Sequence, residues 1–368
     1  MRLLTIFILS WTLLAPLYGK ATSSYGLSKL GPRFEGWYAR ISDRDGKRSI
    51  ALIVGSFLET KIPFSPHIPM PGYLAILVSD GVNELKVYET FPNKTSLTIN
   101  EEATFNENPI ARCGPWQLNI CSNFSWDAPG FGHIDNESFD LTIPGEINFS
   151  GNFSNPIYWM DNPLKTPEGM ATHLQVIPIH WYVHSLGSIS EYSYQIDQGP
   201  TIHSSGYAHI EKNWGKSFPS RWIWSEGISD DNKAHYALAG GEVKMAGVNL
   251  TAFLAGIHTS KIKWDFRPQQ GTLFKSIING RRRTLSLIMA KPGKQLVIES
   301  SAPKKSFAYV SIPTANGFVK NGGIESFLAT TSIYAYEVDV SGKATLVESK
   351  IFNNAALEFG ANYMYEEQ

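Results

Sequence analysis

The chain has 368 residues, with 32 Lys and Arg against 33 Asp and Glu and a formal net charge of −1. That balance excludes the strongly basic surface of a nucleic-acid binder and a broadly basic membrane-binding face. Its 2 Cys form no CxxC pair, so zinc-finger chemistry is excluded as well.

The N-terminus, MRLLTIFILSWTLLAPLYGKA, carries Arg2, an apolar run from Leu3 to Leu14, and small residues Gly19 and Ala21 where a signal peptidase would cut. This is the layout of a secretory signal peptide over residues 1–21, and the run is short for a membrane span. No later segment is apolar and long enough to cross a bilayer, so no stable span is expected after cleavage. Export to the secretory lumen or beyond is expected. Sequons at Asn93, Asn123, Asn136, Asn148, Asn152 and Asn249 agree with it, five of them clustered on what reads as one glycan-tolerant side. Cys113 and Cys121 lie in the same region. In an oxidising lumen they would close a short loop as a disulfide worth roughly 2 to 3 kcal/mol; two unpaired buried thiols are the alternative.

Beyond the leader, strand and turn dominate. Apolar runs rich in Ile, Val, Tyr and Phe recur at Ile50–Leu58, Tyr73–Val78, Leu174–Val183, Tyr236–Ala239, Leu250–Ile257, Leu285–Met289, Leu296–Ile298 and Ser332–Val340. Hairpin turns are expected at Asp45-Gly46, Asp80-Gly81, Asn279-Gly280 and Pro292-Gly293. Arg281–Arg283 then read as solvated residues just past a turn rather than as a phosphate site. Residues 152–169, with Asn155-Pro156, Asn162-Pro163 and Thr166-Pro167, form a long loop, and Asn353–Met364 has the composition of a short helix. The chain is therefore expected to be all-β. At about 350 mature residues it exceeds one small barrel, so two β lobes are expected, over 22–190 and 191–368. Sixteen Tyr, twenty Phe and ten Trp can fill large cores or line a roomy cavity, and composition does not choose between them.

Chemistry-bearing residues concentrate in Gly206–Trp224, GYAHIEKNWGKSFPSRWIW. On a strand, Glu211 and Asn213 share one face while Lys212 and Trp214 share the other. A carboxyl facing an apolar lumen is pushed toward its protonated form and can act as an acid, with Asn213 orienting it or a substrate oxygen. Trp222 and Trp224, at strand spacing, supply aromatic walls. A packed strand end with an internal ion pair is the competing reading of the same residues. His180 and His184 have HxxxH spacing without the glutamate of a zincin. They are read as packing residues, and no metal is expected.

Glu211–Trp224, EKNWGKSFPSRWIW, resembles the EKNWG-x-x-FP-x-x-W-x-W segment of the tocopherol cyclase family. Arg33–Ile41, RFEGWYARI, is similar to the FEGWY strand of the same family. The resemblance implies paired lipocalin-like antiparallel β-barrel or sandwich lobes and cofactor-free chemistry. An acid protonates a prenyl alkene, and a phenol or quinol oxygen closes a chromanol ring on the resulting cation. It places Glu211, Asn213 and Glu35 in the catalytic set, Glu211 as the acid with Glu35 next in line, and Trp37, Tyr207, Trp214, Trp222 and Trp224 around the substrate. The expected partner is a hydrophobic small molecule or prenyl lipid, and the oligomeric state is left open. Related proteins resembling carotenoid 1,2-hydratases add water to such an alkene instead. Two features depart from the plastid enzymes: the leader and sequons, and Glu226 after Ser225 where a Gln is expected. A lipocalin-like carrier without chemistry and a structural glycoprotein with a filled lumen are the alternatives.

Overall fold

The computed structural model describes residues 33–58, 70–100, 123–163, 165–173, 177–245 and 247–367. Residues 1–21, expected as a signal peptide, and Cys113 and Cys121, expected as a disulfide, lie outside the described residues. The first lobe contains β1 (Arg33–Asp43), β2 (Ser49–Leu58), β3 (Gly72–Ser79), β4 (Lys86–Thr90), β5 (Ser96–Asn100) and β6 (Asn123–Ala128). It continues with β7 (Gly132–Asp135), β8 (Ser138–Ile143), β9 (Ile147–Asn152), β10 (Ile179–Ile196) and β11 (Ile202–Gly215). The second contains β12 (Arg221–Ile228), β13 (His235–Met245), β14 (Val248–His258), β15 (Lys263–Phe266) and β16 (Leu273–Asn279). It ends with β17 (Thr284–Lys291), β18 (Lys294–Ser301), β19 (Ala308–Thr314), β20 (Gly317–Val338) and β21 (Ala344–Ala361).

Both sheets are wound alike. In the first, a meander β1 to β4 and a second meander β5 to β11 join where β1 pairs antiparallel with β11; in the second, β12 pairs with β21 between the corresponding meanders. The expected pair of antiparallel β lobes is therefore present, and no α-helix occurs among the described residues. The sequence boundary at 190/191 falls inside β10, and the chain leaves the first sheet only after Gly215. There φ is 154°, and a Cβ would stand 2.3 Å from the carbonyl oxygen of Pro178, so the turn between sheets needs glycine.

Burial patterns explain how the sheets meet. β8 alternates, exposed then buried, because one face meets water. β3 is buried at every position, and β1 and β2 nearly so, because one face packs into the first lobe and the other against the second lobe. Three apolar clusters result: one inside each lobe, and a third between them that includes Tyr73, Trp181, Trp222, Trp224 and Phe327. The lobe interiors are thus filled by side chains, and the sheets face one another across the junction. Arg40 of β1 and Glu226 of β12 form a wholly buried ion pair there, backed by bonds from Arg40 to Ser49 Oγ and the Asn354 carbonyl.

The expected strands are present, with Leu174–Val183 beginning only at Ile179 in the described residues. Gly46, Gly81 and Gly293 take positive φ at three expected turns; at the fourth it is Arg283 that turns left-handed. The long loop expected over 152–169 is present in its described residues after Asn152, which ends β9, with 3₁₀ turns at Trp159–Asp161 and Gly169–His173. The helix expected over Asn353–Met364 is instead the end of β21 and a 3₁₀ turn at Asn362–Met364. Ala355, Ala356, Leu357 and Glu358 are good helix formers, but pairing with β12 on one side and β20 on the other overrides propensity.

Candidate functional site

The two motif strands are antiparallel neighbours: in the register of β1 and β11, Gly36 faces Asn213 and Tyr38 faces Glu211. The rest of the second motif crosses to β12 in the other lobe. The motif is therefore the junction of the lobes. Between them lies a cavity of about 540 Å³, lined mostly by apolar side chains from both sheets. That volume is in the range of small-molecule sites.

Glu211 and Asn213 face this cavity, while Lys212 and Trp214 point into the first lobe, as strand alternation requires. Glu211 is 3% exposed, and its Oε2 accepts from Trp181 Nε1 at 2.8 Å, Trp224 Nε1 at 2.9 Å and His209 Nε2 at 2.9 Å. Its Oε1 accepts from Asn213 Nδ2 at 3.2 Å. Four side-chain nitrogens therefore ring the carboxyl that the sequence names as the acid. Trp181 is itself held by Glu168, whose Oε1 accepts its backbone N–H and whose Oε2 bonds His180 Nδ1, both at 2.7 Å.

Trp222 and Trp224 form the wall contributed by the second lobe. Trp222 donates through Nε1 to Glu358 Oε1 at 2.9 Å, and its ring lies directly on Gly360, where a Cβ would come within 1.8 Å of Cε2. Trp224 packs edge-on against Tyr38, with centroids 5.0 Å apart. Trp37 reaches the cavity wall, but its ring stacks on Phe124 at 4.2 Å in the first lobe.

Three candidates lie apart from the cavity. Glu35 faces the interior of the first lobe, where it pairs with Lys212 and, at 3.4 Å, with Arg33. Lys212 sits 4.9 Å and 5.1 Å from the Trp37 and Trp214 rings, and burial pulls its ammonium down to about 7 against the opposing pull of Glu35. Trp214 stacks on His180 in the same place. Tyr207 shares the face of Glu211 but sits mid-strand beneath Arg44, outside the cavity lining. His184 packs edge-on against Tyr182, and burial draws it down to about 3. Among the described residues no group of three His, Cys, Asp or Glu side chains is placed to hold a metal. Glu226 neither faces solvent nor joins the cavity; it is committed to Arg40.

The main polar features that sequence reasoning missed are Glu325 and Glu358. Both line the cavity, and they sit opposite each other in the register of β20 and β21. Tyr38 OH donates to Glu325 Oε1 at 2.8 Å. Burial, with Glu358 nearby, holds Glu325 well above the usual carboxyl range. Burial also lifts Glu358 to about 7, with Trp222 opposing and the Glu211 charge adding to the rise. The available signal was a single carboxylate inside each of two apolar strand runs, GIESFLA and AALEFG.

Fold and site together define a two-lobed β protein with a mostly apolar, acid-bearing cavity at its lobe junction. The chain belongs to the tocopherol cyclase-like family, whose model matches residues 133–361, more than half of its length. The match takes in the EKNWG segment and begins after RFEGWYARI. No curated protein matches the sequence. Among solved structures, CghA with Sch210972 is similar at a TM-score of 0.55 and 9% identity, covering 89% of this chain and 88% of that one. CghA alone gives 0.50 and 10%, covering 89% and 87%. An AttH-like protein of Nitrosomonas europaea gives 0.46 and 12%, covering 95% and 99%. At such identities the CghA likenesses speak for the fold alone.

Proposed function

We propose that this chain is a cyclase acting on a prenylated phenol or quinol, or a related polyunsaturated lipid, and closing a chromanol-type ring without a cofactor. The observation that carries the proposal is the convergence of Glu211, Glu325 and Glu358 with Trp181, Trp222 and Trp224 on one mostly apolar cavity. Cyclisation of this kind needs a proton, faces that tolerate a tertiary cation, and exclusion of the water that would hydrate it. One cavity carboxyl gives its proton to the alkene. Indole faces and the Glu211 carboxylate, fixed by four donors, lie where positive charge develops. The phenol oxygen then closes the ring and its proton returns to the site, so the product is an isomer of the substrate. The CghA crystal with Sch210972 supports only that such a fold accommodates a small molecule.

The test is incubation with a panel of prenylated hydroquinones, followed by chromatography for products of unchanged mass. A protein that binds the quinols and returns them all unaltered is a carrier, and that outcome sinks the cyclase reading. Cyclisation of any member at a rate above the uncatalysed one supports it.

We also infer a secretory location. It rests on the N-terminal leader and on Asn93, Asn148, Asn152 and Asn249, which are exposed and open to a glycan. Endoglycosidase treatment of protein from a eukaryotic host checks this: an unchanged electrophoretic mobility would count against it.

A further inference from the structure

Glu325 and Glu358 are directly opposed on adjacent antiparallel strands, an arrangement that sets Cβ atoms about 4.5 to 5.5 Å apart. Two like charges so placed repel, and the effect is larger where water is excluded. Among the described residues neither carboxyl has a lysine, arginine or histidine within ion-pair distance. Glu325 accepts from Tyr38 OH, and Glu358 accepts from Trp222 Nε1. The other charged groups that bear on the pair are few. Arg40 of β1 is committed to Glu226 of β12, and Glu211 of β11 adds a further negative charge beside Glu358.

We propose that Glu325 and Glu358 share one proton and are the proton-donating dyad of the cavity, with Glu211 as its fixed anion; the catalytic role rests on the cyclase reading above. Their geometry is the reason: two cavity-facing carboxyls in register, with no cation in ion-pair contact among the described residues and with Arg40, which pulls on Glu325, already paired with Glu226, cannot both ionise cheaply. The elevated position of both groups, one well above the usual range and one at about 7, agrees with a proton held there near neutrality. Because the groups interact, the titration of each depends on whether the other carries its charge.

The chemistry balances. The dyad O–H bond breaks as a C–H bond forms at the less substituted alkene carbon, and the π electrons leave a tertiary cation. A lone pair of the phenol oxygen forms the C–O bond, and the phenolic proton restores the dyad. No oxidant or reductant is consumed.

Difference infrared spectroscopy and turnover test the dyad separately. At pH 7 the wild-type protein is expected to give a protonated-carboxyl C=O band that vanishes in the double variant Glu325→Gln/Glu358→Gln and persists in Glu211→Gln. Gln keeps the oxygen that accepts from Tyr38 or Trp222, so these variants are expected to fold. With any quinol that wild type cyclises, the double variant should lose roughly 100-fold or more in turnover while still quenching tryptophan fluorescence on binding that quinol. Absence of the band in wild type, or its survival in the double variant, overturns the dyad whatever the activity. A double variant that still cyclises removes its catalytic role and leaves the cyclase reading standing. A wild type that cyclises nothing defeats that reading, and the band still decides whether the pair holds a proton.

Discussion

Replacing Glu358 with Gln should make the protein more stable at alkaline pH and leave it unchanged at acid pH. Glu358 moves from 4.5 in the unfolded chain to about 7 in the folded one, driven first by burial and then by the charge of Glu211. Below pH 4.5 both states carry the proton. Between 4.5 and 7 only the folded state does, so unfolding releases a proton and stability falls as pH rises. Above 7 both are ionised and the whole cost is present, roughly 3 kcal/mol at 1.36 kcal/mol per pH unit. Gln carries no charge at any pH and still accepts the Trp222 bond, so it removes that slope. The assay is urea denaturation of both proteins from pH 4 to 8.5, followed by tryptophan emission and compared by midpoint. Midpoints should coincide at pH 4 and diverge steadily above 5, with the variant higher. Part of the slope should persist through Glu325, which has its own burial to account for, and should disappear only in the double variant. Parallel midpoint curves across the whole range would refute the reasoning, because Glu358 would then titrate alike folded and unfolded.

Three further expectations follow from the junction between lobes. Gly360→Ala forces the Trp222 indole off the strand and away from Glu358, costing about 1 to 3 kcal/mol; a melting temperature equal to wild type would contradict the close contact. Arg40→Met strands the Glu226 charge in a site with no exposure and should cost about 3 to 5 kcal/mol, most of it recovered in Arg40→Met/Glu226→Leu. A double variant no more stable than the single one, by calorimetry, would show that the pair is not the cause. Trp224→Phe keeps a ring against Tyr38 but removes one of the donors to Glu211, at a cost of about 1.5 to 3 kcal/mol in chemical denaturation at pH 7. An unperturbed midpoint would mean that this bond is not made in solution.

Much of the architecture is written locally. Alternation along Ile202–Gly215 placed Glu211 and Asn213 on one face and Lys212 and Trp214 on the other, because side chains on a strand have no other choice. Turn chemistry at Asp45-Gly46 and Pro292-Gly293 marked hairpins because those backbones need a left-handed residue. Glu35 illustrates the limit of the same rule: the motif names it, but it points into the first lobe to meet Lys212, and only the pairing of β1 with β11 decides that.

The stretch from Gly206 to Trp224 carried the family and the two-lobed fold, since both depend on short-range order that a single segment records. Its chemistry depended on distant partners. Trp181 and Trp224 reach Glu211 from different sheets, Arg40 claims Glu226 across 186 positions, and Glu325 and Glu358 become neighbours only when β20 and β21 align. Composition left open whether the aromatic residues fill cores or line a cavity; they do both, since each lobe fills its own interior and the space opens where the two sheets fail to close on each other. Strand faces and turns follow from covalent geometry, which acts over a few residues. Which charges lose their water together is settled by packing, and packing joins residues that the chain keeps far apart.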